Sequence, residues 1–280
     1  MARDTSFSYS FLVLPDEQRQ AIGLVWDFCR AVDDAVDEAP DEVTAAREIG
    51  RWRAEVGRLF GGEAPLTPQG QNLAPVVAAC SLSRQPFDDL VDGVEMDLRH
   101  KTYPTFDELS GYCRRVASAV GLMCIEIFGA RDSRSRDYAF NLGLALQLTN
   151  IIRDVAVDLR NGRVYLPQED LARFGVSAAD LRAGVVTPAV RHLLAHQCQR
   201  ARQFYAAAAQ AMPHAEAHKL VAAEIMGGIY FEILQRIERR HYDVFTELIR
   251  VPKAVRARIA LSIWARGQLS ALGYRLFSRA

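Results

Sequence analysis

Apolar side chains recur at three- and four-residue intervals along almost the whole chain, which is the pattern of amphipathic helices. The clearest stretch begins after Pro15 and reaches about residue 38, where Pro40 follows as a stop signal. The sequence shows no run of alternating strands and no glycine-rich nucleotide-binding loop. The pattern predicts an all-α protein of eight to ten helices, over about 15–38, 41–60, 70–83, 86–100, 105–128, 133–159, 178–211, 215–248 and 252–278, with a short helix within 166–176.

The composition excludes several classes of protein. The 280 residues carry 34 basic and 34 acidic side chains, so the formal net charge is zero, which argues against a nucleic-acid-binding chain. Half of the residues are hydrophobic, which argues against a disordered acidic chain. The five cysteines form no C-x-x-C pair, so we expect neither a disulfide framework nor a structural zinc site. With no signal-peptide pattern and no apolar run of membrane-spanning length, we expect a cytoplasmic protein.

The zero net charge conceals two segments of strong and opposite charge. Residues 27–42 hold seven acids against one base, a net charge of −6, and this excess requires an explanation. Residues 236–280 hold ten bases against three acids, a net charge of +7. Within the basic segment, residues 250–266 are amphipathic, which fits either a packed terminal helix with solvated arginines or a peripheral contact with anionic membrane.

The acidic segment contains the motif C-R-A-V-D-D-A-V-D-E at residues 29–38. Asp33 and Asp37 are four residues apart, so on a helix they share a face, where like charges destabilise the helix by about 0.2–0.5 kcal/mol. Trp26 and Arg30 lie on the same side. This face therefore combines an aromatic ring, a cation and two carboxylates.

A second motif, Q-L-T-N-I-I-R-D-V-A-V-D, occupies residues 147–158. At 100° per residue, its Gln, Asn and two Asp side chains lie within about 80° of one another, on a helix that is otherwise largely apolar. Apolar helices are normally buried, and buried carboxylates need partners. Either motif alone fits a solvated surface pair, but together they predict a Mg²⁺ site, because Mg²⁺ prefers oxygen ligands and shares its coordination with substrate phosphates.

These motifs resemble the squalene/phytoene synthase family. The most specific similarity is N-I-I-R-D-V-A-V-D followed by N-G-R-V-Y-L-P, within residues 150–167. Similar segments cover nearly the whole chain, at residues 6–15, 29–38, 93–98, 112–121 and 229–238. Bacterial presqualene diphosphate synthases look most similar, with phytoene and dehydrosqualene synthases as near neighbours. The resemblance implies a single domain over residues 1–280, folded as an isoprenoid-synthase-type helical bundle around a central apolar cavity.

The resemblance implies a prenyltransferase that condenses two farnesyl diphosphates head to head into presqualene diphosphate and diphosphate. One substrate ionises, the double bond of the other attacks its C1 cation, and loss of a proton closes a cyclopropane. Phytoene synthesis from two C20 diphosphates, dehydrosqualene synthesis and complete NADPH-dependent squalene synthesis remain alternatives. A helical scaffold or binding protein is the alternative from another class. We expect two or three Mg²⁺ ions, no requirement for NADPH and no obligate protein partner.

The resemblance also assigns roles to individual residues. The metal ligands are expected to be Asp33, Asp37, Asn150, Asp154 and Asp158. The residues expected at the diphosphate or prenyl chain are Ser6, Phe7, Trp26, Arg30, Gln147, Arg153, Arg163, Tyr112, Tyr165 and Tyr230. Of these, Arg30 and Tyr112 join the four aspartates as the catalytic set.

Overall fold

The structure is a computed structural model that describes residues 10–99 and 102–277, with side chains up to residue 267. Within these residues the chain is all-α, as the periodicity predicts, apart from an isolated parallel bridge between Thr102 and Val164. The helices are α1 Asp16–Asp37, α2 Glu42–Gly61, α3 Pro68–Cys80, α4 Gln85–Arg99, α5 Phe106–Cys113, α6 Ala119–Ile127, α7 Ser133–Arg153, α8 Val155–Arg160, α9 Gln168–Arg173, α10 Ala178–Arg182, α11 Pro188–Ala211, α12 Val221–Arg239 and α13 Lys253–Phe277. A π turn, Arg114–Ser118, joins α5 to α6, and a 3₁₀ turn, Ala217–Lys219, precedes α12.

Local sequence signals explain where several helices begin and end. The Asp41 carboxylate accepts a hydrogen bond from the Thr44 amide at 2.7 Å and so caps the start of α2. Gly62 ends the same helix in the left-handed conformation, with φ of 81°. Thr187 caps α11 in the same way as Asp41 caps α2, and Pro188 occupies the first helical position.

Three of the predicted helices are wrong in extent. The helix predicted over 178–211 is split between α10 and α11, because Gly184 adopts a φ of +68° and Pro188 removes a backbone donor. The helix predicted over 215–248 covers only Val221–Arg239, and the Asp243 carboxylate then accepts the amides that follow it in a turn. The helix predicted over 133–159 is interrupted at Asp154, between α7 and α8.

Helix α7 connects the two halves of the hydrophobic core. Its N-terminal half, including Tyr138 and Leu142, packs into a cluster with α1, α2 and α4. Its C-terminal half, including Leu148 and Ile152, packs into a second cluster with α11 and α12. Because α7 belongs to both clusters, its polar end is held in a defined position relative to α1.

Two glycines allow the π turn to pack closely between α4 and α7. A Cβ at Gly143 would lie 2.5 Å from the Cα of Ser118, and one at Gly93 would lie 2.7 Å from the Cβ of Arg115. The Ser118 hydroxyl donates to the Phe140 carbonyl at 2.8 Å, which ties the turn to α7. The π turn therefore sets the spacing of α4, α5 and α7.

We expect Gly143→Ala to lower the free energy of unfolding by about 1–3 kcal/mol, since the new methyl group would force the backbone of Ser118 to move. Gly50→Ala is the matched control, because nothing lies within 4 Å of a Cβ at that exposed position of α2. That variant should gain about 0.5–1 kcal/mol from the higher helix propensity of Ala. Urea unfolding of both variants measures the difference, and equal stabilities would contradict the close packing.

Helix α13 packs on α12 through its described N-terminal part. Ile259 and Ile263 lie over Gly228 of α12, each within 2.9 Å of where a Cβ would be. Val255 and Arg256 also face inward. Among the helices in the described part of the chain, none is long and apolar enough to cross a membrane.

Candidate active site

The site contains two pairs of acidic side chains, which we call its acidic arms. The first arm, Asp33 and Asp37, lies on α1. Phe28 and Val32 are fully buried in the core cluster of α1, α2 and α4, and this packing fixes the rotation of the helix. Asp33 and Asp37 stay on the accessible side, one turn apart. They are close enough that the charge of Asp37 raises the pKa of Asp33. The two carboxylates therefore share one face of α1, as their spacing predicts.

The second acidic arm lies at the junction of α7 and α8. Asp154 ends α7 with φ of −98° and ψ of 8°, yet the Asp158 amide still donates to the Asp154 carbonyl at 2.9 Å. The one-turn spacing of the two aspartates therefore continues through the interruption. Arg153 pairs with the Asp154 carboxylate through two hydrogen bonds of 2.6 and 2.8 Å. Both arms present two carboxylates each, and this arm is half-buried rather than fully buried.

Arg163 joins the two arms. The Asn161–Gly162 turn reverses the chain after α8, with Gly162 at a φ of +76°. The Arg163 amide then donates to the Asp158 carbonyl at 2.9 Å. The Arg163 guanidinium lies 3.2 Å from the Asp37 carboxylate, across the gap between α8 and α1. The two sequence motifs, far apart in the chain, thus meet at one arginine.

Asp97 is a fifth aspartate of the site that sequence reasoning missed. It lies on α4, where its carboxylate accepts hydrogen bonds from the Tyr112 hydroxyl at 2.8 Å and the Tyr165 hydroxyl at 2.7 Å. The two tyrosine rings stack with centroids 5.4 Å apart, and Tyr103 packs against both. Asp97 therefore brings together two aromatic residues of the predicted site and adds a third.

A sequence signal for Asp97 did exist. Val91 and Val94 belong to the buried face of α4, and position 97 continues their three-residue spacing. An acid at a core-facing position is costly unless it has partners. This conflict between charge and position is the signal that marks Asp97, which also falls within the family-like segment 93–98.

The electrostatics of the site follow from the crowding of its carboxylates. Burial raises the pKa of Asp33 to about 7, with a further contribution from Asp37. Burial and the neighbouring Asp154 likewise raise the pKa of Asp158 to about 7, and Arg163 opposes both shifts. Asp33 is exposed by surface area although protein surrounds it on most sides, so solvent screens its charge more than that of Asp158.

The site carries more negative charge than its own basic residues neutralise, and this excess favours a bound cation. Two arginines, Arg153 and Arg163, face five aspartates, which leaves a formal charge of −3 when all are ionised. The buried Asn150 side-chain oxygen has no hydrogen-bond partner in the described part of the chain. No three acidic, His or Cys side chains of the described residues lie close enough to enclose an ion by themselves. Oxygen donors that leave most of the coordination to water and phosphate are what Mg²⁺ uses.

Arg30 lies beside the first arm rather than between the arms. It lines a polar cavity of about 230 Å³ between α1 and α3, together with Asp27, Asp34 and Gln69. The acidic face of α1 therefore divides into two strips, one carrying Asp33 and the other facing this groove.

The remaining predicted residues occupy several different positions. Trp26 is half-buried on α1, two turns before Asp33, and Gln147 is half-buried on α7, one turn before Asn150. Tyr230 is buried on α12 in the same core cluster as Tyr112 and Tyr165. Ser6 and Phe7 lie outside the described residues.

Comparison with known proteins identifies a family that this chain matches. A family model described as squalene/phytoene synthase matches residues 1–258. A phytoene synthase from Arthrospira platensis is 38% identical over 255 residues, which cover 86% of this chain and 82% of the relative. A 15-cis-phytoene synthase from Synechococcus elongatus is 38% identical over 261 residues, which cover 88% and 84%.

Solved structures agree with the fold. A dehydrosqualene synthase in complex with ligand superposes with a TM-score of 0.83 at 26% identity, covering 94% of this chain and 92% of that one. A squalene synthase from Alicyclobacillus acidocaldarius superposes with a TM-score of 0.77 at 32% identity, covering 86% and 91%. The all-α architecture inferred from periodicity is thus the fold of these enzymes.

Proposed function

We propose that this chain, which belongs to the squalene/phytoene synthase family, condenses two farnesyl diphosphates head to head into presqualene diphosphate. The family consists of prenyltransferase-type enzymes that act on prenyl diphosphates. The observation that carries the proposal is the meeting of two acidic arms, from α1 and from the α7–α8 junction, at Arg163. A diphosphate needs cations and guanidinium groups at one end, and its prenyl chain needs the apolar interior of a helical bundle.

The metal ligands of the proposal are the oxygen donors of the two arms. Their excess negative charge and the unpartnered oxygen of Asn150 support a role in holding two or three Mg²⁺ ions. Bound Mg²⁺ would stabilise the departing diphosphate as a Lewis acid. The residues proposed to hold it are Asp33, Asp37, Asn150, Asp154 and Asp158.

The arginines of the site would orient the substrate. Arg163 and Arg153 already pair with carboxylates, so an incoming diphosphate would exchange these partners for its own oxygens. Arg30, beside the first arm, and Gln147, beside the second, would also help to orient the diphosphate. The aromatic residues, above all Tyr112 and Tyr165, would face the cationic intermediate, which an aromatic ring stabilises by about 0.5–2 kcal/mol.

The solved structures and the sequence relatives favour different chain lengths. Dehydrosqualene and squalene are C30 compounds, so the two structural neighbours support a C15 substrate. Phytoene is a C40 compound, and the relatives at 38% identity support a C20 substrate instead. Phytoene synthesis from two geranylgeranyl diphosphates is therefore the second candidate function.

Product analysis tests both candidates. The purified protein is incubated with C15 or C20 diphosphate and Mg²⁺, with and without NADPH, and the products are identified by mass spectrometry. We expect a C30 cyclopropyl diphosphate from the C15 substrate without NADPH, and no product when EDTA removes the metal. Phytoene as the only product would establish the second candidate, and squalene formed only with NADPH would establish the reductive alternative. Condensed product from neither substrate would refute the proposed function and leave a scaffold or binding role.

We further propose that α13 contacts anionic membrane peripherally. Leu261 is 65% exposed and Trp264 is 42% exposed, and both lie on the outward face of the helix. Lys253 and Arg258 flank this apolar strip, and α13 contains no acidic residue over Lys253–Phe277. An exposed apolar strip between cations suits a bilayer surface that carries anionic lipid.

Liposome sedimentation measures this contact. Wild-type protein should sediment with vesicles that contain anionic phosphatidylglycerol and much less with neutral phosphatidylcholine, because about 1 kcal/mol is gained for each cation near an anionic surface. Leu261→Ser/Trp264→Ser should abolish the binding. Val43→Ser is the control, since Val43 is an exposed apolar residue that lies on α2 beside Asp41 and Glu42. Equal sedimentation of all variants would contradict the contact.

A further inference from the structure

Asp97 holds two tyrosine hydroxyls at once. The Tyr112 hydroxyl donates to one carboxylate oxygen at 2.8 Å, and the Tyr165 hydroxyl donates to the other at 2.7 Å. Both tyrosines are buried, whereas Asp97 is half-buried. Asp97 belongs to neither of the two sequence motifs that supply the acidic arms.

These two hydrogen bonds leave neither tyrosine with a hydroxyl proton to donate to another group. A phenol has a single hydroxyl proton, and here both protons are used by the same carboxylate. The rings are stacked, 5.4 Å apart with an interplanar angle of 21°. Tyr112 comes from α5 and Tyr165 from the loop after α8, and the Asp97 carboxylate holds the two hydroxyls at one point.

The Asp97 carboxylate is also close to the acidic arms, because its partner Tyr165 lines a small cavity with Asp158 and with Arg163, which contacts Asp37. Its charge contributes to the raised pKa of Asp33 on the first arm and of Asp158 on the second. The tyrosine pair is therefore adjacent to the place where the diphosphate is proposed to leave and where the prenyl cation forms.

We propose that Asp97 is a positioning residue for the condensation, which fixes Tyr112 and Tyr165 as one stacked pair beside the acidic arms and thereby directs the prenyl cation to the alkene rather than to water. The inference rests on the proposed function. It assigns Asp97 the two tyrosine hydroxyls as its partners and no direct contact with substrate.

Asp97→Asn is the most direct test. The amide keeps the shape of the side chain but replaces one acceptor by a donor, so one of the two tyrosine hydroxyls loses its bond or must reverse it. We expect kcat to fall by about 10- to 100-fold, as for other residues that orient a catalytic group, while KM changes less than about threefold. The proportion of farnesol, formed when water captures the cation, should rise by about tenfold relative to the condensed product.

A second variant tests the same bonds from the other side. Tyr112→Phe/Tyr165→Phe keeps the carboxylate and removes both hydroxyls, so it should show a similar rise in farnesol. Adding Asp97→Asn to that double variant should then change kcat less than about twofold, because the interacting groups are already gone. Asp92→Asn is the matched control, since Asp92 lies on the same helix and pairs with Arg53 at the surface.

The outcomes separate the inference from the proposed function. A wild-type protein that makes no condensed product from C15 or C20 diphosphate refutes the proposed function. A wild-type protein that condenses its substrate, with Asp97→Asn at the wild-type ratio of farnesol to product, overturns the positioning role even if the variant is less stable. A ratio unchanged in the double phenylalanine variant overturns it as well, and so the test does not depend on Asp97→Asn folding.

Discussion

Replacing Asp33 or Asp154 with Asn is expected to reduce kcat/KM for the condensation by at least about 100-fold while the helices stay folded. Each substitution removes one charged oxygen donor from one arm, and the departing diphosphate loses part of its stabilisation. Both side chains are at least partly accessible, so an isosteric amide at either position leaves the core intact. Steady-state kinetics with radiolabelled substrate measure the loss, and circular dichroism checks the helices.

Matched controls exist on the same two helices. Glu17→Gln lies in the first turn of α1, and Asp137→Asn lies on the exposed face of α7. Both remove one negative charge far from the arms, so both should keep activity within about twofold of wild type. Full activity in Asp33→Asn or Asp154→Asn would refute the assignment of these aspartates as metal ligands.

The metal-free protein should lose stability as the pH rises from about 4 to 7. The pKa of Asp158 is about 7 in the folded protein, well above its ordinary value of 3.8, because burial and the charge of Asp154 disfavour ionisation. The folded state therefore binds a proton more tightly than the unfolded state. The stability linked to this proton is fully present below pH 4 and is lost as the pH passes 7.

Asp158→Asn isolates this effect from the other titrating groups. The neutral side chain cannot ionise beside Asp154, so in EDTA the variant should melt a few degrees above wild type at pH 8, and the difference should shrink toward pH 5. Thermal unfolding at both pH values measures it. Adding Mg²⁺ should raise the melting temperature of wild type more than that of the variant, since the ion competes with the proton for the same carboxylate. A variant that melts below wild type at pH 8 would contradict the assigned repulsion.

Much of this site was predictable because its two motifs are local. A four-residue spacing fixes which side chains share a helix face, whatever the rest of the chain does. Asp33 with Asp37 and Asp154 with Asp158 follow from that rule, and the second pair keeps its spacing even where the helix is interrupted. The roles of these residues as Mg²⁺ ligands, and the single domain over residues 1–280, stay predictions.

The errors in helix extent also have local causes that periodicity does not register. The segment after Arg239 carries apolar residues at helical spacing, but His241 and Tyr242 adopt positive φ and Asp243 captures the following amides. Hydrogen bonds between backbone amides and a side chain compete with the hydrogen bonds of a helix, and the pattern of apolar residues does not reveal this competition.

By itself, then, the sequence determined the all-α class, most helix positions, the four motif aspartates and the family. Only the tertiary structure decided that Arg163 meets Asp37 across 126 residues and that Asp97 meets Tyr165 across 68. The physical reason is that helical spacing sets the direction of a side chain relative to its own helix axis, whereas the angle and distance between helices depend on packing. Here that packing is set by α7 at the centre of the core and by Gly93 and Gly143, which let the π turn approach closely.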